Sequence, residues 1–270
     1  MKTFLSTLLL LGFFFHPYSS LLAENNDSST EELSSAEIYT LARSVRAWKG
    51  SKSRLALDKL VKSRDKEAYA ALVKIVSDVH ELSTLRQEVL QALAKVEHDQ
   101  AGLYIIDCHE ELAEEYSQSR LVLRLSKAYS SYSNAAVDWS RTRGGNAPTK
   151  EFGKVLKGIL SGEIGKDLSL CALFALRTHP YQQVIDYLLR VGKTGGDLEK
   201  VAVAFSLASM EGGVGLPALS KVLDGNKVPE MARLAAYVPL ISGYGSVKGA
   251  SALVIERLAK ERDALLALYL

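Results

Sequence analysis

Leucine recurs at a nearly constant spacing along most of the chain, and this recurrence constrains the fold more strongly than any other feature of the sequence. Successive members of the series are 33, 32, 51, 31 and 33 residues apart. Apolar residues also occupy the positions three and four residues before each leucine, which is the spacing of one helix face. A repeat of this length is typical of stacked helical units. The series consists of Leu60, Leu93, Leu125, Leu176, Leu207 and Leu240.

A second apolar face follows each of these leucines within the same repeat. Apolar residues stand twelve positions after every leucine, and fifteen positions after all but one, where Ser140 interrupts the series. Polar or helix-ending residues, such as His179 and Pro180, separate the two faces. Each repeat is therefore predicted to be a helix, a turn and a second helix, stacked on its neighbours. A polar residue seven positions before each leucine predicts a solvent-exposed first turn.

Three segments carry the repeat most clearly: R-Q-E-V-L-Q-A-L-A-K-V at 86–96, L-S-L-C-A-L-F-A-L-R at 168–177 and E-M-A-R-L-A-A-Y-V-P-L at 230–240. They resemble HEAT repeats, in particular the short HEAT-like repeats of the phycobilisome-lyase type, over about residues 53–262. The Trp, Leu-Gly and Tyr pattern of tetratricopeptide repeats is missing. The resemblance implies an all-α, right-handed solenoid of about six helical hairpins. It implies no catalytic residue, because the repeat motif contains none.

The series breaks once, between Leu125 and Leu176. Segment 141–149 predicts a loop, and the amphipathic segment 150–160 predicts one additional helix. The irregular insertion, 141–166, holds six basic and two acidic side chains, a net charge of +4. Both a solvated surface and an ionic docking site for a protein explain such a charge run. The predicted partner-binding residues are Arg141, Arg143, Lys150, Lys154 and Lys157.

The remaining charge and motif content gives no indication of chemistry. Five carboxylates fall within residues 107–115, but the chain as a whole has 33 basic and 31 acidic residues, a formal net charge of +2. That balance does not favour nucleic-acid binding. The sequence lacks a phosphate-binding loop, a nucleophile elbow and a histidine or cysteine metal motif. We therefore predict no catalytic residue, no cofactor and no metal site.

The first 23 residues have the pattern of a secretory signal peptide. Lys2 precedes an apolar stretch at 4–15, and a small residue, Ala23, precedes a polar leader at 24–34. As a helix the apolar stretch is about 18 Å long, too short for a hydrocarbon core of about 30 Å. The helical array is expected over 35–270. We expect an exported protein, periplasmic or secreted with a bacterial envelope favoured, and no membrane span after cleavage.

The two cysteines, Cys108 and Cys171, stand on apolar helix faces two repeats apart. A disulfide requires Cα atoms within about 7 Å, whereas stacked helices are about 8–10 Å apart, so we expect two buried thiols. The alternative is a nucleophilic Cys108 followed by His109, although adjacent residues on a helix do not face each other.

These observations favour a non-enzymatic scaffold or adaptor that acts outside the cytoplasm and binds a protein or peptide along an extended solenoid surface. Two alternatives stay open. One is a lyase-type or cofactor-handling protein, as the resemblance to that class of repeat implies. The other is an envelope structural protein that assembles with itself through the apolar segment Ala264–Leu270.

Overall fold

The computed structural model describes residues 33–96, 98–112, 126–132, 134–135, 148–160, 168–225, 228–241 and 250–260. All regular secondary structure in these segments is helical, as the repeat pattern predicts. No helix in this part of the chain is both long and apolar enough to cross a membrane. The predicted signal peptide, nearly all of the polar leader and the segment Ala264–Leu270 lie outside the described residues.

Thirteen α-helices lie in the described segments. The first six are α1 (Ser35–Ala47), α2 (Ser51–Lys62), α3 (Lys66–Ser77), α4 (Ser83–Ala94), α5 (Asp99–Leu112) and α6 (126–132). The others are α7 (Pro148–Leu160), α8 (Leu168–Ala175), α9 (Gln182–Thr194), α10 (Asp197–Ser209), α11 (Leu216–Leu223), α12 (Glu230–Ile241) and α13 (Ala250–Lys260). Short 3-10 turns follow α8 at Leu176–Thr178 and precede α11 at Glu211–Gly213.

Polar side chains fix where several of these helices begin. Ser34 and Glu37 form a capping box at the start of α1, in which each side chain bonds the backbone amide of the other residue. Asp65 accepts hydrogen bonds from the amides of Glu67 and Ala68 at the start of α3, at 2.6 and 3.2 Å. These bonds satisfy amide groups that have no partner within the helix.

Helix contacts fall into two rows that run along the chain. In one row, α2 contacts α4, α4 contacts α8, α8 contacts α10 and α10 contacts α12. In the other, α1 contacts α3, α3 contacts α5, α5 contacts α9, α9 contacts α11 and α11 contacts α13. Paired helices also touch across the rows, as α2 with α3, α4 with α5 and α10 with α11. Packing is therefore mostly between neighbouring helices, so that each buries its apolar face against the next.

The core follows the apolar positions of the repeat. The leucines of the series in α2, α4, the turn after α8 and α10 are fully buried, namely Leu60, Leu93, Leu176 and Leu207. The second apolar position is also fully buried in α3, α5, α9 and α11, at Leu72, Ile105, Leu188 and Leu219. Helical periodicity alone is enough to predict these positions, because only one face of each helix meets its neighbours.

The last described helix departs from the predicted register. The repeat spacing predicts that Ala252 and Ile255 face the core, but Ala252 is exposed and Ile255 is 66% exposed. Leu253 and Arg257 are buried instead. Each residue turns a helix by about 100°, so the shift of the buried position from Ala252 to Leu253 rotates the apolar face of α13 by about that angle.

The prediction of a solvent-exposed first turn is wrong for several repeats. Ser53, Arg86 and Ser169 are all at least 96% buried. The Ser53 hydroxyl donates to the carbonyl of Ser44 near the end of α1, at 2.7 Å. The Arg86 guanidinium donates to the carbonyl of Val76 near the end of α3, at 2.5 Å. The last carbonyls of a helix lack partners within it, so these side chains satisfy the preceding helix end.

The order of packing departs from the order of the sequence at the break in the series. α8 packs directly on α4 and α5, although it follows them only after residues 113–167. The predicted repeat around Leu125 would stand between these helices, and Leu125 itself lies outside the described residues. Helices that are distant in sequence are therefore in direct contact here.

The helix predicted at 150–160 is confirmed as α7. It contacts α8 and α12, with Phe152 and Leu156 buried. Tyr132 of α6 packs on Phe152 with ring centroids 5.2 Å apart. Gly153 approaches α12 so closely that a Cβ atom there would lie 2.8 Å from a methyl group of Val238. α7 is thus held against the later helices of the chain.

Candidate functional site

A groove lies on the surface between α3 and α5. Its volume is about 430 Å³, and it is lined by Ala70, Val73 and Lys74 of α3 and by Tyr104, Asp107, Glu110 and Glu111 of α5. These positions recur every three or four residues, so each set lies on one face of its helix. We call this feature the acidic groove.

The acidic groove carries an excess of negative charge. Its three carboxylates, Asp107, Glu110 and Glu111, face one ammonium group, Lys74, so the formal charge of its lining is −3 + 1 = −2. Burial raises the pKa of Asp107, and the charges of Glu110 and Glu111 raise it further. Crowded carboxylates of this kind attract cations.

Arg190 of α9 flanks the acidic groove. Its guanidinium lies 3.1 Å from a carboxylate oxygen of Glu110 and 4.9 Å from the centre of the Tyr187 ring. Both partners of the Arg190–Glu110 pair are more than half exposed, so water screens the pair and its contribution to stability is small. Glu110 can therefore leave Arg190 and pair with the cation of a ligand at little cost in free energy.

Behind the acidic groove, three polar side chains of different helices meet; two of them, His109 and Tyr187, are buried and the third, Glu199, is partly exposed. The Nδ1 atom of His109, on α5, lies 2.6 Å from the hydroxyl oxygen of Tyr187, on α9. Its Nε2 atom lies 3.6 Å from a carboxylate oxygen of Glu199, on α10, which is too long for a hydrogen bond. We call these three residues the His109 cluster.

Burial determines the protonation of the His109 cluster. His109 is 97% buried, and this lowers the pKa of its imidazole to about 4, so the ring is neutral at pH 7. Burial raises the pKa of Tyr187, and the Glu110 carboxylate adds to the increase, so the side chain stays a phenol. The second carboxylate oxygen of Glu199 accepts a hydrogen bond from the amide of Gly196, at 2.7 Å.

Both cysteines are buried thiols and are not joined in a disulfide, as predicted. Their separation by two repeats was the wrong reason, because α5, which carries Cys108, packs directly on α8, which carries Cys171. Burial raises the pKa of the Cys108 thiol, and the charges of Glu111 and Asp107 raise it further. The reactive thiolate is therefore disfavoured, and Cys108 has no exposed surface from which to attack a substrate.

The predicted partner-binding residues belong to a different part of the chain from the acidic groove. Arg141 and Arg143 lie outside the described residues. Lys150 lies in α7, but its side chain is not described. Lys154 is exposed on α7 and Lys157 is half-buried there. The structure therefore does not test whether these five residues bind a partner.

Sequence reasoning identified only one wall of the acidic groove. The run of carboxylates in 107–115 was visible as a charge pattern, and three of its members line the groove. Lys74 and Tyr104 were missed, because nothing in a single sequence shows which faces of two neighbouring helices leave a gap. Among the described residues, no three His, Cys, Asp or Glu side chains are grouped so that they could hold a metal ion.

The fold and its groove define an all-helical protein whose helices pack mainly on their neighbours and leave an acidic groove between two of them. No family model, no curated protein and no solved structure matches the chain.

Proposed function

We propose that this chain is an α-solenoid of HEAT-like hairpins that serves as a non-enzymatic scaffold or adaptor and binds a protein or peptide. Two rows of helix contacts support the solenoid, because stacking of successive hairpins produces such rows. The pairs α4–α5 and α8–α9 stack directly, and in this proposal α6 and α7 are an excursion from the array.

The acidic groove carries the proposal of peptide binding. The aliphatic stem of a lysine or arginine fits along Ala70 and Val73, while its charge reaches Asp107, Glu110 and Glu111. The ring of Tyr104 offers a face for the same cation. The partner is therefore proposed to be a protein segment with exposed basic side chains, and its association should be accelerated by charge.

The basic residues of the insertion are proposed as a second contact. Lys154 is exposed on α7, where it could meet acidic groups of the same partner. Arg141, Arg143, Lys150 and Lys157 belong to this proposal on the basis of their charge in the sequence. A partner with basic and acidic segments would be selected by both surfaces, since opposite charges fix orientation as well as rate.

The place of action is proposed from the first 23 residues of the sequence. A signal peptide of this pattern directs export, so the partner would be met in a periplasm or outside the cell. Nucleic acid is not proposed as a ligand, because the overall charge is nearly balanced.

The test is the affinity of the purified protein for a fluorescent peptide rich in lysine and arginine. Asp107→Asn, Glu110→Gln and Glu111→Gln together should weaken binding about tenfold or more, because they remove the three carboxylates of the groove. Asp58→Asn, Glu88→Gln and Glu211→Gln change the net charge equally at other surface sites and should weaken binding less than about twofold. Equal losses in both variants would rule out the acidic groove as the site.

The alternatives are separated by other measurements. A lyase-type or cofactor-handling role through Cys108 or His109 has little support, because both side chains are buried. It would gain support if substitution of either residue abolished an activity without unfolding the protein. Self-assembly through Ala264–Leu270 would appear as a mass in solution that falls to the monomer value when that segment is removed.

A further inference from the structure

The His109 cluster joins three helices through groups that respond to protons. α5 supplies His109, α9 supplies Tyr187, and α10 supplies Glu199 from its first turn. The edge of one aromatic ring faces the other, with ring centroids 5.8 Å apart and planes at 82°. The three side chains are packed so closely that a change in the charge of one must be accommodated by the other two.

The Glu199 carboxylate near Nε2 favours one tautomer of the neutral imidazole. The Tyr187 phenol is the donor and Nδ1 of His109 is the acceptor across 2.6 Å, which leaves the ring proton on Nε2. This proton then points towards the carboxylate of Glu199 at 3.6 Å. The opposite tautomer would direct the lone pair of Nε2 at a negative charge and is therefore disfavoured.

We propose that the His109 cluster is a proton-sensitive latch. The hydrogen bond between Tyr187 and His109 joins α9 to α5, Glu199 packs beside the ring from the start of α10, and the latch opens when His109 binds a proton. The latch is independent of the proposed peptide binding, since none of its three residues lines the acidic groove.

Protonation conflicts with each neighbour of the ring. A proton on Nδ1 would face the hydroxyl of Tyr187, which must give up its role as donor. Glu199 is the nearest counter-ion, but its facing oxygen lies 3.6 Å from Nε2, while its other oxygen holds the amide of Gly196 at the start of α10. Moving Glu199 closer to His109 would strain that helix start.

The surrounding charges do not remove this conflict. Glu110, Glu199 and Asp107 act on the hydroxyl of Tyr187 and raise its pKa, and Arg190, which lies over the Tyr187 ring, opposes them. Glu110 is already paired with Arg190. The interior position leaves the charged ring without water, and this burial is what lowers the pKa of His109 to about 4.

The sign of the response follows from these values. An opened latch exposes the ring to water, where its pKa returns to about 6.5, so the open state binds a proton more readily than the closed state. Above about pH 6.5 the free energy of opening is at its highest, and it decreases as the pH falls towards the closed-state pKa of about 4. Between pH 7 and pH 5 the opening equilibrium should rise about twentyfold.

Hydrogen exchange of the full chain tests the latch. The amides at the end of α9 and the start of α10, residues 191–200, are followed at pH 7 and pH 5 and corrected for the intrinsic exchange rate. In the native sequence their opening should rise about twentyfold, and in His109→Gln it should change less than about threefold. Retention of the full response in His109→Gln, or its absence in the native sequence, would overturn the proposal.

Two histidine controls isolate the effect. His80 is exposed, and His179 is buried in the turn before α9. His80→Gln and His179→Gln should each keep the response of residues 191–200. If His179→Gln removes it instead, the sensor is His179 and the proposal is wrong.

Tyr187→Phe keeps the test decisive even where His109→Gln fails to fold. This variant removes the hydrogen bond that favours the neutral ring, so the midpoint of the response should move to higher pH. Glu199→Gln removes the nearest negative charge and should move the midpoint to lower pH. Shifts in the same direction, or none, would contradict the latch.

Discussion

At the scale of single residues, buried polar side chains connect neighbouring helices. Arg86 is 96% buried and donates to the carbonyl of Val76, so it ties the start of α4 to the end of α3. Ser206 makes a comparable bond from α10 to the carbonyl of Leu173 in α8, at 3.0 Å. Each bond satisfies a polar group that the packing would otherwise bury without a partner.

Arg86→Met should lower the free energy of unfolding by about 2–3 kcal/mol. Methionine keeps most of the apolar stem, but it leaves the carbonyl of Val76 without its donor. The measurement is urea denaturation of both proteins, and the control is Arg54→Met. Arg54 is 70% exposed, 3.6 Å from Glu88, so its loss should cost less than about 0.5 kcal/mol. Equal losses would mean that the buried bond contributes nothing.

Residue patterns in the sequence predict burial well for apolar side chains and poorly for polar ones. Four described leucines of the series, Leu60, Leu93, Leu176 and Leu207, are fully buried, because helical periodicity determines which face meets the core. Ser53 and Arg86 occupy positions that the pattern assigned to solvent. Their burial depends on a helix end of the preceding unit, and a repeat alignment does not contain that information.

At the scale of helices, some helices approach each other so closely that only glycine fits at the contact. Gly192 of α9 is buried where α9, α10 and α11 meet. A Cβ atom there would lie 2.7 Å from a methyl group of Val222 and 3.1 Å from one of Val203. Glycine in a helix costs about 1 kcal/mol relative to alanine, so its presence indicates that this contact has no room for a methyl group.

Gly192→Ala should lower the free energy of unfolding by about 1–3 kcal/mol, despite the better helix propensity of alanine, because the added methyl group overpacks the contact. Val222→Ala removes the obstructing methyl groups. The double variant should therefore lose less stability than the sum of the two single variants, as measured by a double-mutant cycle in urea. If the losses are additive, or if Gly192→Ala stabilises the protein, then α9 and α11 are further apart than the structure shows.

The sequence predicted the helices better than their order of packing. The helix at 150–160 could be predicted because its apolar residues form a regular stripe, and it is confirmed as α7. The direct contact of α8 with α4 and α5 could not be predicted, since a repeat series assumes that successive units touch. The rotated face of α13 was not predicted, because the repeat pattern assumes the same spacing between the two apolar faces in every pair.

At the scale of the whole molecule, grooves form on the surface between helices that are neighbours in a row. The acidic groove between α3 and α5 is one of them. The sequence predicted a charged docking site in general terms and indicated one wall of the groove through the acidic run at 107–115. The other wall comes from α3, which lies more than thirty residues earlier in the sequence and is brought beside α5 only by stacking. The site is thus a product of the packing.

The most direct test of peptide binding in the acidic groove is to measure the amide hydrogen exchange of the full chain with and without the lysine- and arginine-rich peptide. Binding in the acidic groove should slow the exchange of amides in residues 70–74 and 104–111 together, because both walls contact the same ligand. Amides of α11, which does not line the groove, should be unchanged and serve as the internal control. Protection confined to other helices, or no protection at peptide saturation, would contradict the account.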